Sequence, residues 1–446
     1  MNGKNFSMKW SSIIFLFVML IFAACKKEDN NVFNESPDQR INEALQKYES
    51  ALTGSPSGWN ATIKTGSGGI YHFHFRFNTS NRVFMYADIN LETASTARES
   101  SYRLKALQTP ALVFDTYSYL HMLADPDASV NGGNFGQGLS SDFEFSLDSL
   151  AADSIKLTGR VNGTKLTLIR ATQQDFNAWQ NGGWARALAF ENINKIQNYF
   201  KRITIGGTVY EIRADLVART ITLTWIDGTG TLRAFTTSYN YSATGVAFVT
   251  PFNTGSQIVT GLEIVSWDGA NFLLNVKVNG VATTVAGATQ PLKVDLGAPL
   301  RWWQDAINNG GVYWISIDGF HVNGVDDAFG IKTLKTDTSH YYYLIYWPRP
   351  VTGQSFDVLA PAFLIPSQNA LDLIYGIAQA PNFLANGRVV FNYLGDVVGP
   401  YPTTGPAALT KAQLFIPQGY YFVQTGPTSY DMVSASDAKA WISWIR

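Results

Sequence analysis

From residue 70 the chain alternates: Tyr71, Phe73, Phe75 and Phe77 occupy every second position, separated by His72, His74 and Arg76. Successive side chains on a strand point to opposite faces, so this spacing gathers four rings on one face, as a half-buried antiparallel strand requires. Asn81-Arg82 then turns the chain into an apolar run at 83–86. Further strands are expected at 102–107, 111–114, 142–147, 154–161 and 165–169, with Asn162-Gly163 as the hairpin turn between the last two. Aromatic residues make up 14% of the chain and glycines number 38, a mixture suited to antiparallel β structure with tight turns.

Helical signals precede the strands. Ser36-Pro37-Asp38-Gln39 reads as a capped start, and Ile41, Leu45, Tyr48 and Leu52 then recur on one face until Gly54. A second helical pattern covers 184–200 through Leu188, Ile193 and Ile196, after which strands resume. Gly207-Thr208-Val209-Tyr210 echoes Gly69-Ile70-Tyr71, and Arg219-Thr220-Ile221 echoes Arg82-Val83-Phe84. Gly245-Val246-Ala247-Phe248 echoes Ala111-Leu112-Val113-Phe114, and Val278-Asn279-Gly280 echoes Val161-Asn162-Gly163. These echoes suggest an internal duplication of a helix followed by an antiparallel sheet or small barrel. In the last third, Leu300, Trp303 and Ile307 have helical spacing before Gly310-Gly311. Strands are expected at 312–317 and 340–347, Pro348 and Pro350 break the second, and 435–445 reads as a Trp-rich closing helix.

The fold class is therefore mainly β with a few helices, a β-rich α+β chain. Two helix-plus-antiparallel-sheet or barrel-like units are followed by a mixed C-terminal unit. The boundaries read as a signal peptide at 1–24, a lipidated tether at 25–35, and domains at 36–171, 172–298 and 299–446, the last of mixed α/β character.

The N-terminus carries an address. Lys4 and Lys9 precede an uncharged apolar run at 13–22 and then Ala23-Ala24. About a dozen residues rise only about 18 Å as a helix against roughly 30 Å of hydrocarbon, too short to span a bilayer. Leu20-Ile21-Phe22-Ala23-Ala24-Cys25 resembles a bacterial lipobox, departing at Phe22 where leucine is usual. Cys25 is the sole cysteine of the chain, so lipid attachment is expected there, and acyl chains would hold the protein on a membrane stably. Lys27-Glu28-Asp29 resembles the lysine-plus-two-acids export tag of surface lipoproteins in the Bacteroidota. The expected location is the outer membrane, lipid-anchored and facing the exterior. No disulfide can form within a chain of one cysteine, so the domains rest on burial. A formal net charge of −1 with no block of like charge suggests neither nucleic acid nor anionic lipid as a partner.

Further blocks carry a family resemblance: Gln39-Arg40-Ile41-Asn42-Glu43-Ala44-Leu45, Gly58-Trp59, Ser101-Tyr102-Arg103-Leu104-Lys105, Phe114-Asp115-Thr116-Tyr117-Ser118-Tyr119-Leu120-His121, Ala124-Asp125-Pro126-Asp127 and Gly138-Leu139-Ser140-Ser141-Asp142-Phe143. Together they resemble an uncharacterised family of Bacteroidota lipoproteins, a domain of unknown function, most clearly in the N-terminal half. The resemblance implies an accessory protein of TonB-dependent nutrient uptake, with a transporter and partner lipoproteins beside it and a glycan or peptide as ligand. It implies no catalytic residue.

A few residues could carry chemistry. His72 and His74, two apart on a strand, could offer zinc two ligands if His121, His321, His340 or a carboxylate joined them. The plainer reading leaves them opposite the aromatic stripe, so no metal is expected. Asp125, Asp127, Ser129, Asn131 and Asp142 form an oxygen-rich loop, but Val130 stands where a calcium-binding loop needs glycine, and an Asx-rich turn is the simpler expectation. Trp302, Trp303, Tyr346 and Trp347 could stack on a sugar or peptide, or fill a core. No His-Glu-x-x-His pair, Gly-x-Ser-x-Gly elbow or phosphate-cradling loop is present, so no cofactor is expected and binding is favoured over catalysis. A surface hydrolase with carboxylates far apart in the chain, and an adhesin-like structural protein, remain the alternatives.

Overall fold

The computed structural model describes residues 36–350 and 353–446. Cys25, Lys27, Glu28 and Asp29 lie outside the described residues. The first unit opens with helix α1 (Pro37–Thr53), whose N-cap Ser36 accepts from the amide of Gln39. Eight strands follow: β1 (Trp59–Lys64), β2 (Ile70–Phe77), β3 (Arg82–Ala87), β4 (Arg98–Ala106), β5 (Pro110–Phe114), β6 (Glu144–Leu150), β7 (Ser154–Gly159) and β8 (Lys165–Arg170). Each pairs antiparallel with the next, and β1 pairs with β8, so the sheet closes into a barrel without free edges. The predicted stripe points inward: Tyr71, Phe73, Phe75 and Phe77 are buried with Trp59, Phe114 and Phe145 in one core. Leu52 and Tyr48 of α1 join that core, and the Leu52 carbonyl accepts from Trp59 Nε1 at 3.0 Å, so the helix plugs the barrel.

The second barrel repeats this topology with β9 (Phe200–Ile205), β10 (Thr208–Asp215), β11 (Thr220–Ile226), β12 (Leu232–Tyr241), β13 (Gly245–Asn253), β14 (Ile258–Asp268), β15 (Leu273–Val278) and β16 (Val281–Ala288), closed by β16 on β9. Every sequence echo falls on a topologically equivalent strand: β10 on β2, β11 on β3, β13 on β5, and the turn before β16 on the turn before β8. The two turns differ in construction. Asn279 and Gly280 both have positive φ, the signature of a two-residue type I′ hairpin between paired Val278 and Val281. Between β7 and β8 the pairing stops at Thr158 and Lys165, and the longer loop is held by Asp142. The helical pattern expected at 184–200 is broken into short pieces: helices Gln173–Gln180 and Gly183–Ala187, then a 3-10 helix Leu188–Lys195. Gly182 in the left-handed region separates the first two, and Phe200 already belongs to β9.

The C-terminal unit follows the same plan. Helix Ala298–Asn308 precedes β17 (Trp314–Ser316), β18 (His321–Val322), β19 (His340–Trp347), β20 (Asp357–Ile365), β21 (Ala370–Leu373), β22 (Ile377–Phe383), β23 (Arg388–Asp396), β24 (Tyr420–Gly426), β25 (Ser429–Ser434) and β26 (Ala440–Ile445). Eight of these form a ring closed where Ile315 of β17 meets Ile445 of β26, with β18 and β21 on its flanks. The expected helix at 435–445 is instead the closing strand β26. Ala440, Ile442 and Trp444 are buried with period two, and the three-residue spacing of Trp441 and Trp444 imitated a helical face. Among the described residues no helix is long and apolar enough to cross a membrane.

Candidate functional site

The histidines of the first stripe part company. His72 Nδ1 lies 3.0 Å from Asp88 Oδ2, and Asp88 is fully buried. The other partner of Asp88 is Arg219, carried in from the turn between β10 and β11. There Asp215 accepts the amides of Val217 and Ala218, and Arg219 has φ +49°. Its guanidinium donates from Nη2 to the Asp88 carbonyl at 2.7 Å, lies 3.2 Å from Asp88 Oδ2, and donates to the carbonyl of Ile70. It stacks 3.9 Å over Tyr71 and 4.9 Å over Tyr241. Burial alone would raise the Asp88 pKa, but Arg219 and the His72 contacts outweigh it and hold the carboxyl below its ordinary value. This cluster locks the first barrel to the second. His74 is buried against Phe176, and burial followed by the Arg76 charge pushes it down to about 4, so it is neutral. No group of three metal-capable side chains occurs among the described residues.

The oxygen-rich loop spends its acceptors internally. Asp125 accepts from the Asp127 amide and Tyr117, Asp127 from the Ser129 amide, and Asn131 from Gly133. Asp142 stands apart, accepting from the amides of Val161, Asn162 and Thr164 and the Thr164 hydroxyl. Trp302 and Tyr346 are fully buried core, whereas Trp303 and Trp347 are half-buried and donate to Asp357 and the Gly311 carbonyl.

An aromatic concavity lies elsewhere, on the third barrel, between the end of β23, the loop after it and helix Gly405–Leu414. A pocket of about 700 Å³ is lined there by Tyr393, Tyr401, Phe415, Asn392, Asp396 and Lys411, among others. Asp396 organises it by accepting from the Tyr393 hydroxyl at 2.7 Å and the Tyr401 amide at 3.0 Å, with Lys411 Nζ at 3.9 Å. The backbone amide of Tyr401, then the hydroxyl of Tyr393, holds the Asp396 carboxyl below its ordinary value. Lys411 sits 3.7 Å over the Tyr393 ring, which fixes that ring's orientation. Tyr393 is 45% exposed, while the Tyr401 hydroxyl is buried without a hydrogen-bond partner. Nothing in the sequence marked these residues: they come from a strand end, a loop and a helix, and no spacing joins them.

Structural comparison returns DNA polymerase sliding clamps. That of Pseudomonas aeruginosa is 11% identical, with a TM-score of 0.16 and coverage of 90% of this chain and 97% of the clamp. That of Bartonella birtlesii is 7% identical, with a TM-score of 0.15 and the same coverages. At scores this low the likeness fixes neither fold nor function. No curated protein matches the chain. A family profile does match, over residues 29–268, which span the first barrel and the second as far as the end of β14. On that match, covering more than half of its length, the chain belongs to the family described as a domain of unknown function, DUF4302.

Proposed function

We propose that this protein is a lipid-anchored binding component of an outer-membrane nutrient-uptake system, facing the cell exterior, and that the pocket beside β23 takes a neutral sugar unit. The N-terminal reading supports the placement: a leader ending at Ala24, a lone Cys25 and the Lys27-Glu28-Asp29 tag. The observation that carries the binding role is the pocket itself. Tyr393 and Phe415 supply apolar surface for the C–H side of a pyranose against a wall closed by the buried Tyr401, and Asn392, Asp396 and Lys411 supply polar groups for its hydroxyls. Asp396 and Lys411 neutralise one another, which favours an uncharged ligand over an ionic one.

Glycoside hydrolysis needs two carboxyl groups flanking the bond, and this pocket is lined by one, already committed to Tyr393, Tyr401 and Lys411. Binding without catalysis is therefore the better reading of this site, and a TonB-dependent transporter with partner lipoproteins is the expected company. Co-purification of the mature protein from solubilised outer membranes tests the assembly. Recovery with a transporter or a second lipoprotein is expected, and recovery alone at native abundance would contradict it.

A further inference from the structure

A second cavity, of about 500 Å³, lies between the second and third barrels, lined on one side by residues of β9 to β12 and on the other by residues of β24 to β26. An apolar seam of Phe200, Val433 and Ala438, with Tyr199, Val423 and Trp441 packed on it, holds the barrels together at this place. Charged groups line the opening above the seam: Lys201, Glu211, Arg213 and Asp431. Three of the four are already engaged. Arg213 Nη2 donates to the Tyr199 hydroxyl at 2.8 Å, which donates to Asp431 Oδ2 at 2.6 Å, and Ser443 donates to the other Asp431 oxygen. Glu211 Oε2 accepts the Leu292 amide at 3.1 Å.

Lys201 is the exception. Among the described residues no carboxylate or carbonyl lies within hydrogen-bond or ion-pair distance of its ammonium, although the cavity walls withdraw it from water. That desolvation, followed by the Arg213 charge, pushes its pKa down to about 8. The charge of Glu211 offsets this only in part, so the half-buried cation still costs the fold stability that an incoming anion would restore. The formal charges of the four groups cancel, so a dianion would meet two carboxylates as well as two cations, whereas a single carboxylate needs only the one free ammonium. Thr222, Thr224 and Asn194 line the same cavity and offer hydroxyl and amide groups to the remainder of a polar ligand.

We propose that the cleft between the second and third barrels is a binding site for the carboxylate of a small polar molecule, with Lys201 as its counter-ion. An acidic sugar and a short peptide present the same group, and the test separates them. Competitive acetylation of the full-length protein near pH 8, read by mass spectrometry of the peptide containing Lys201, reports the fraction of free amine. Pairing with a carboxylate raises the lysine pKa, and a rise of about one unit lowers labelling roughly fivefold. The probes are sodium glucuronate and N-acetyl-dialanine, with glucose as the uncharged control. Protection by glucuronate but not glucose is expected for an acidic-sugar site, and protection by N-acetyl-dialanine alone assigns the site to peptides. Lys201 labelling unchanged by either acid at millimolar concentration overturns the proposal. Lys201→Met removes an unpaired cation, so it is expected to fold, melt no lower than wild type and lose acid binding by calorimetry. Retention of acid binding in this variant overturns the proposal as well. Because Tyr393 lies in a different pocket, Lys201→Met leaves neutral-sugar binding unchanged, so failure here and failure of the function proposed above are distinguishable.

Discussion

Replacing Arg219 with methionine tests the joint between the first two barrels. The substitution keeps much of the apolar stem but deletes the hydrogen bonds to the Asp88 carbonyl and the Ile70 carbonyl, the ion pair at 3.2 Å, and the stacking on Tyr71 and Tyr241. Asp88 would remain fully buried, with His72 as its remaining partner. Stranding one member of a buried pair costs about 3–5 kcal/mol. At about 2–4 °C per kcal/mol for a cooperative unit of this size, the melting temperature should fall by roughly 6–20 °C. Asp88→Asn in the Arg219→Met background should recover part of the loss, because it removes the uncompensated charge. The pH dependence has a definite sign. Asp88 is depressed in the fold, so its contribution is present above its unfolded pKa, about 4, and is lost as pH falls through the lower folded value. Circular dichroism melts of wild type and variant at pH 7 and in acid would therefore show a wide gap that narrows. A gap below about 2 °C at pH 7, or one that does not change on acidification, would refute the reasoning.

Other perturbations have equally definite outcomes. Asp142→Asn leaves donors of the β7–β8 loop facing an amide that can accept on one atom only, and should cost about 2–4 kcal/mol in denaturant titration. His74 is held at about 4 against an ordinary 6.5, so the unfolded chain takes up the proton first. Stability is then level above pH 6.5 and declines toward pH 4, a decline that His74→Phe should flatten in melts across that range. Mass spectrometry of the mature N-terminal peptide should find acyl chains on Cys25, and Cys25→Ser should move the protein from the membrane to the soluble fraction.

Much of the architecture was legible because it rests on periodicity. The alternation at Tyr71 to Phe77 declared an inward face, and the short echoes landed on equivalent strands although the two Asn-Gly turns are built differently and Phe84 is exposed where its counterpart Ile221 is buried. The third barrel was harder to read: Pro361 and Pro381 sit inside strands that pair there, and the two C-terminal tryptophans mimic a helical stripe. The sites were least legible. Arg219 meets Asp88 across 131 positions, and Tyr199 meets Asp431 only because two barrels dock. Neither juxtaposition leaves a motif, since each is made by packing between units and not by spacing within one. Tyr393 and Asp396 are near in sequence, but they gain meaning only when helix Gly405–Leu414 brings Lys411 over the ring.

Calorimetric titration of neutral oligosaccharides into the mature protein, with Tyr393→Ala in parallel, tests the binding role most directly. Removing the ring deletes a stacking face worth about 0.5–1.5 kcal/mol beyond its buried area, so affinity should fall roughly tenfold or more while the melting temperature holds. Saturable binding by wild type that weakens in the variant is the predicted result. Heat indistinguishable from dilution for every neutral sugar, or equal affinity in both proteins, would contradict the assignment of this pocket.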